Sequence, residues 1–106
     1  MNDTIDSTKY VICRNIVLGK GCFCKVYMGY SKISQERVAI KEFILSNKAT
    51  IQQVISEEVK IMTIIKNNPH KNVIKCHDII RTRDRLYFIL EYCDSGELTK
   101  YVTRRV

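Results

Sequence analysis

Between positions 18 and 27 the chain reads Leu-Gly-Lys-Gly-Cys-Phe-Cys-Lys-Val-Tyr, and the residues after the glycines exclude most folds that begin this way. Gly19 and Gly21 carry no Cβ, so the backbone around Lys20 can turn sharply and bring its N–H groups close to an anion. A dinucleotide-binding G-x-G-x-x-G must open a helix, and a Walker A loop must close on Gly-Lys-Ser/Thr. Neither fits. Phe23, Val26 and Tyr27 follow, then Gly29, and aromatic and β-branched residues favour a strand. The loop is therefore expected to join two strands as a hairpin, the geometry of a flap over a bound group.

A second segment, Val38-Ala39-Ile40-Lys41, suits the wall beneath such a flap. Alternation along a strand puts Val38 and Ile40 on one face and Ala39 and Lys41 on the other. The small alanine admits a flat ring, and the lysine ammonium can meet its phosphates. Without the upstream hairpin, Lys41 would read simply as a lysine at a strand end. With it, one nucleotide pocket accounts for both segments.

The helix that follows adds independent support. Thr50-Ile51-Gln52-Gln53 has the form of a capping box, Thr50 accepting from a first-turn N–H and Gln53 reaching back. Ile51, Val54, Ile55, Ile61, Met62 and Ile65 recur at helical spacing up to a stop at Asn67-Asn68-Pro69. Glu58 interrupts this stripe, with Val54 and Ile55 before it and Ile61 and Met62 after it on the same face. An unpaired carboxylate there would cost several kcal/mol or shift its pKa, so Glu58 calls for a cation, and Lys41 is the natural one. The plain alternative is a glutamate at the edge of the stripe that reaches solvent.

Taken in order, residues 1–9 are polar and expected to be loose. Residues 10–18 read as a first strand, with Tyr10, Ile12, Ile16 and Leu18 available to one face, and residues 19–21 as a hairpin tip. Strands are expected at 22–30 and 37–43, joined by a turn over 31–36 that lacks a glycine. After the helix come a strand at 73–80, a charged turn at 82–85 and a nearly continuous apolar strand at 86–92, whose composition implies burial on both faces. Residues 93–96 break the pattern, and 97–102 look like the start of another helix. The fold class is α+β: a five-stranded antiparallel sheet with one packed helix.

Composition bounds what this pocket belongs to. A chain of 106 residues with 45% hydrophobic residues is one globular domain at most. It has no apolar run long enough to span a bilayer, and its first residues lack signal-peptide character, so a cytoplasmic location is expected. Five cysteines at irregular spacing, without a C-x-x-C pair, argue for reduced thiols over a disulfide framework or a zinc site. The formal charge of +7 raises the question of nucleic acid. The basic residues are scattered, among them Lys9, Lys20, Lys25, Lys32, Lys48, Lys66, Lys71, Arg81, Arg83 and Arg85, without a dense stripe. No nucleic-acid partner is expected, but a solvated surface or one that meets an acidic partner.

Gly19-x-Gly21-x-Phe23-x-x-Val26-Tyr27, Val38-Ala39-Ile40-Lys41, Glu58-Val59-Lys60-Ile61-Met62, His70-x-Asn72-Val73-Ile74 and the run from Leu86 through Glu91-Tyr92-Cys93 to Gly96-Glu97-Leu98 occur in one order. Residues 10–102 thereby resemble the N-terminal lobe of a eukaryotic protein kinase of the Ser/Thr type, with its hinge and the start of the next helix. Within that superfamily, Leu18-Gly19-Lys20-Gly21 and Glu91-Tyr92-Cys93 are most similar to the autophagy-initiating ULK-type and the calcium/calmodulin-dependent kinases.

The resemblance implies a role for each position. Gly19, Lys20 and Gly21 would form the flap over the ATP phosphates, and Lys41, oriented by Glu58, would hold the α- and β-phosphates. Leu18, Val26 and Ala39 would enclose the adenine, the backbone of Glu91 and Cys93 would bond its edge, Leu90 would be the gatekeeper, and Glu97 would contact the ribose. Met62 and Cys76 match the packed column that joins the two kinase lobes. Cys24 stands where the family has a third glycine, so weaker rather than abolished nucleotide binding is expected. No His-Arg-Asp or Asp-Phe-Gly occurs in the sequence. Residues 10–106 are thus expected to be a partial kinase domain, the N-lobe plus hinge without the C-lobe, inactive in isolation. The Mg²⁺ of the full kinase and its protein substrate would then depend on residues outside this chain, and a regulatory protein is a possible further partner. The alternative is a non-catalytic, pseudokinase-like nucleotide-binding or docking module.

Overall fold

The structure, a computed structural model, describes residues 2–6 and 9–93. Six strands form one antiparallel sheet: β1 (Asn2–Asp6), β2 (Tyr10–Lys20), β3 (Cys24–Ser31), β4 (Arg37–Ile44), β5 (Cys76–Arg81) and β6 (Arg85–Glu91), in the spatial order β1-β2-β3-β4-β6-β5. Among the described residues one helix forms, α1 (Ala49–Asn67), in the crossover between β4 and β5. The five expected strands and their helix are present. The sixth, β1, comes from the segment expected to be loose: Asn2 pairs opposite Cys13 and Thr4 opposite Val11 on the edge of β2.

The central strands are buried on both faces. Every residue from Val38 to Phe43 of β4 and from Leu86 to Leu90 of β6 is buried, which is why β6 reads as a continuous apolar run rather than an alternating one. Toward the helix, Val26, Ala39, Phe43, Phe88 and Leu90 pack with Ile55 and Met62 of α1. On the other face Ile12, Tyr27, Val38, Ile40, Tyr87 and Ile89 form a second cluster, with Ile5, Tyr10 and Ile80 against it.

Four local expectations change. First, Tyr10, Ile12, Ile16 and Leu18 do not share a face. The β2–β3 register shifts between Cys13 and Val17 and again before Gly19. A bulge changes which face the following residues meet. Ile12 thus enters one cluster, Leu18 packs against the other, and Ile16 is left exposed. Second, β2 continues through Gly19 and Lys20, and β3 begins at Cys24, so the tip lies at residues 21–23, closed by the Gly21 N–H donating to the Cys24 carbonyl at 2.9 Å. Third, α1 starts before the proposed capping box: Lys48 is the N-cap, no side chain caps it, and Thr50 lies inside the helix. The expected stop is where it was placed, with Asn68 donating from its side chain to the Ile64 carbonyl and Pro69 following. Fourth, the strand after the helix is shorter than expected, starting at Cys76, because residues 70–73 form a turn closed by the Val73 N–H on the His70 carbonyl. The expected helix over 97–102 lies outside the described residues.

Candidate functional site

The site is assembled by register. Val26 of β3 sits opposite Lys41 of β4, which sits opposite Phe88 of β6. In the neighbouring row Met28 faces Ala39, Ala39 faces Leu90, and Leu90 faces Cys76. These rows lie on the sheet face that α1 covers. Leu18 and Cys93 pack against the same cluster, so Leu18, Val26, Ala39, Leu90 and Cys93 border one apolar region although they come from four strands and the segment after β6. Met62 and Cys76 are buried in that cluster as well. Gly19 stands opposite Val26, and Lys20 and Gly21 continue into the exposed tip. Glu91 and Cys93 are half-buried at the end of β6 and just beyond it. Glu97 lies outside the described residues.

Lys41 and Glu58 meet as the helical stripe required. Lys41 Nζ lies 3.6 Å from Glu58 Oε1, and the two residues are 2% and 7% exposed. Glu58 sits between Ile55 and Met62, both buried, so its carboxylate is on the packed side of α1 and does not reach solvent. Phe43, on the same β4 face as Lys41, places its ring 5.4 Å from the ammonium and meets Phe88 edge-on at 5.2 Å. A cation over an aromatic face and beside a carboxylate has its position fixed from two sides.

Cys24 comes close to this pair. It stands opposite Phe43 across β3 and β4. Burial pushes its thiol pKa above the ordinary value; the charge of Lys41 opposes that shift, and the charge of Glu58 adds to it. The thiol is therefore held protonated above the floor of the site. A Cβ added at Gly21 would stand 2.9 Å from Cys24 Sγ, so a side chain there would have to displace that thiol.

A second buried carboxylate was not found from the sequence. Glu42, next to Lys41 but on the opposite sheet face, is 7% exposed and accepts two bonds from Arg14, at 2.7 and 2.8 Å. Arg85 Nε adds a contact at 3.6 Å, and the Arg14 guanidinium lies over the Tyr27 ring at 5.0 Å. The signal was present in the alternation: Glu42 continues the Val38 and Ile40 face, as Glu58 interrupts the helical stripe. Arg85, expected on an exposed turn, is thus a half-buried partner of this group.

A kinase N-lobe holds its strand lysine with a glutamate of the helix packed on one face of an antiparallel sheet, and the chain folds into that arrangement. Residues 13–106 match the protein kinase domain, and the chain belongs to that family. It is 38% identical over 90 residues to CBL-interacting serine/threonine-protein kinase 2 of Arabidopsis thaliana, covering 83% of this chain and 19% of that protein. It is also 34% identical over 88 residues to serine/threonine-protein kinase ATG1 of Komagataella pastoris, covering 83% of this chain and 11% of that protein. The ULK-type likeness has its counterpart in the ATG1 kinase. The chain therefore spans about a fifth or less of the length of these relatives.

Proposed function

We propose that this chain is the ATP-binding lobe of a Ser/Thr protein kinase that transfers the γ-phosphate of ATP to protein hydroxyls. The observation that carries it is the buried Lys41–Glu58 pair. Removing two charges from water costs several kcal/mol per ion before their attraction is counted, so hydrophobic residues would serve packing as well or better. A pair kept at that cost, beside a glycine hairpin, fits a site for phosphates. The apolar region bordered by Leu18, Val26, Ala39 and Leu90 suits an adenine ring, and the ammonium lies in the next register row, where phosphates would follow.

In this proposal Glu58 orients the Lys41 ammonium toward the α- and β-phosphates, and the hairpin from Gly19 to Gly21 covers them. Mg²⁺ would neutralise the developing charge on the transferred group and would be held by residues outside those described. The base for the acceptor hydroxyl and the protein-substrate surface would likewise lie outside these motifs. Regulatory partners are proposed by analogy with the CBL-interacting kinases.

The test is equilibrium binding of a fluorescent ATP analogue to the chain, with Lys41→Met beside it. Binding that is displaced by ATP and weakened at least about tenfold by Lys41→Met, as loss of a charge-assisted phosphate contact requires, supports the proposal. Equal binding by both forms, or none by either, overturns it and leaves a docking module as the better account.

A further inference from the structure

The end of the sheet where the β2–β3 hairpin turns carries a cleft of about 470 Å³ that shares Lys20 and Gly21 with the proposed phosphate flap and is otherwise lined by residues to which the nucleotide proposal gives no role. Phe23 and Ile44 line it and are 42% and 60% exposed. Lys20 and Lys25 line it too, directly opposite each other across the hairpin. Like charges so placed destabilise an antiparallel pair. Neither lysine forms an ion pair among the described residues. The cleft's carboxylate, Glu42, stands opposite Lys25 on β4 but is already held by Arg14 and Arg85.

Ser46, just before α1, and Ile51, in its first turn, border the same cleft. That helix has no acidic residue in its first turn and no side-chain cap, so its positive end adds to the field of the two lysines. The cleft thus presents positive charge without an available anion, next to apolar side chains that water surrounds.

We propose that this cleft docks an acidic segment of a protein partner bearing one aromatic or branched aliphatic side chain. Its carboxylates pair with Lys20, Lys25 and the start of α1, and its apolar side chain packs between Phe23 and Ile44. Charge complementarity selects the acidic character, and the exposed Phe23 and Ile44 select the apolar anchor. A purely anionic polymer would satisfy the lysines and leave those two side chains in water.

The experiment is fluorescence anisotropy of the full chain with a labelled peptide of Asp and Glu residues around a central Phe. Saturable binding is expected, weakened about tenfold by replacing the peptide's Phe with Ser, by Ile44→Ser, or by Lys25→Glu. Lys66→Glu, the same charge change in the last turn of α1, is expected to stay within about twofold of the unchanged chain. Lys25, Ile44 and Lys66 are exposed, and circular dichroism checks that each variant folds. Equal weakening by Lys25→Glu and Lys66→Glu would mean attraction to net charge alone and overturn the proposal. So would indifference to the peptide's Phe. Tighter binding to phosphatidylserine vesicles or to oligo-dT than to the peptide, or self-association lost in Ile44→Ser, would also reject it in favour of those occupants.

Discussion

Arg14 holds Glu42 through two parallel N–H···O bonds, 2.7 and 2.8 Å long, on the sheet face opposite the Lys41–Glu58 pair. The bonds tie β2 to β4 across the intervening β3, and Arg85 brings in β6. Truncating Arg14 to Ala leaves a buried carboxylate without its main partner, and removing one member of such a pair is costly. Arg14→Ala is expected to lower stability by about 2–3 kcal/mol, and Glu42→Gln by about 1–2, because a neutral amide still bonds one guanidinium N–H. Urea unfolding followed by circular dichroism measures both; equal, negligible shifts in midpoint would show that the network contributes no stability.

The Lys41–Glu58 pair separates function from stability. Glu58→Leu alone leaves a buried ammonium unpaired and should cost about 3 kcal/mol. The double variant Lys41→Met/Glu58→Leu removes both charges and fills the volume, so its stability should return to within about 1 kcal/mol of the original. Its binding of the ATP analogue should not return. A double variant as unstable as Glu58→Leu would mean the pair acts in packing more than in charge compensation.

Helix, strands and the lysine–glutamate pair were legible because each rests on a local period. Val38 to Lys41 alternates, the apolar residues from Ile51 to Ile65 recur at helical spacing, and a carboxylate inside that stripe demands a cation. What stayed hidden depends on pairing that no local window contains. The shift between Cys13 and Val17 that sends Ile12 and Leu18 to different clusters is a property of two strands at once. β1 forms because β2 offers an edge, not because Asn2–Asp6 has a strand-like composition. Glu42 escaped notice because its partner Arg14 is distant in sequence, although its position on an apolar face was readable.

Burial also sets a pH dependence. The Cys76 thiol is pushed up to about 11 from an ordinary value of 9.0, chiefly by burial. In the unfolded chain that thiol ionises near pH 9, while the folded chain keeps it protonated. Its contribution is therefore fully present below pH 9 and lost as pH rises toward 11. Cys24 and Tyr87 are raised as well and act in the same direction, the tyrosine at higher pH. The urea midpoint should fall across pH 9–11, and Cys76→Ala should flatten that fall while lowering the plateau below it. An unchanged slope in Cys76→Ala would assign the effect to the other groups.

Two glycines of the hairpin should respond differently to the same substitution. A Cβ at Gly29, inside β3 and away from the tip, would stand 2.4 Å from both the Val11 carbonyl oxygen and Ile40 Cδ1. The carbonyl belongs to the β2 ladder and cannot move without breaking it, so Gly29→Ala should cost about 3 kcal/mol through overpacking. At Gly21 the nearest atom is Cys24 Sγ at 2.9 Å, a side-chain atom that can rotate away at an exposed tip. Gly21→Ala should therefore change stability by less than about 1 kcal/mol, while weakening nucleotide binding by crowding the flap. The pair of variants distinguishes a glycine required by packing from one required at the site. Matching losses of stability in the two would show that the hairpin tip is as tightly packed as the inside of β3.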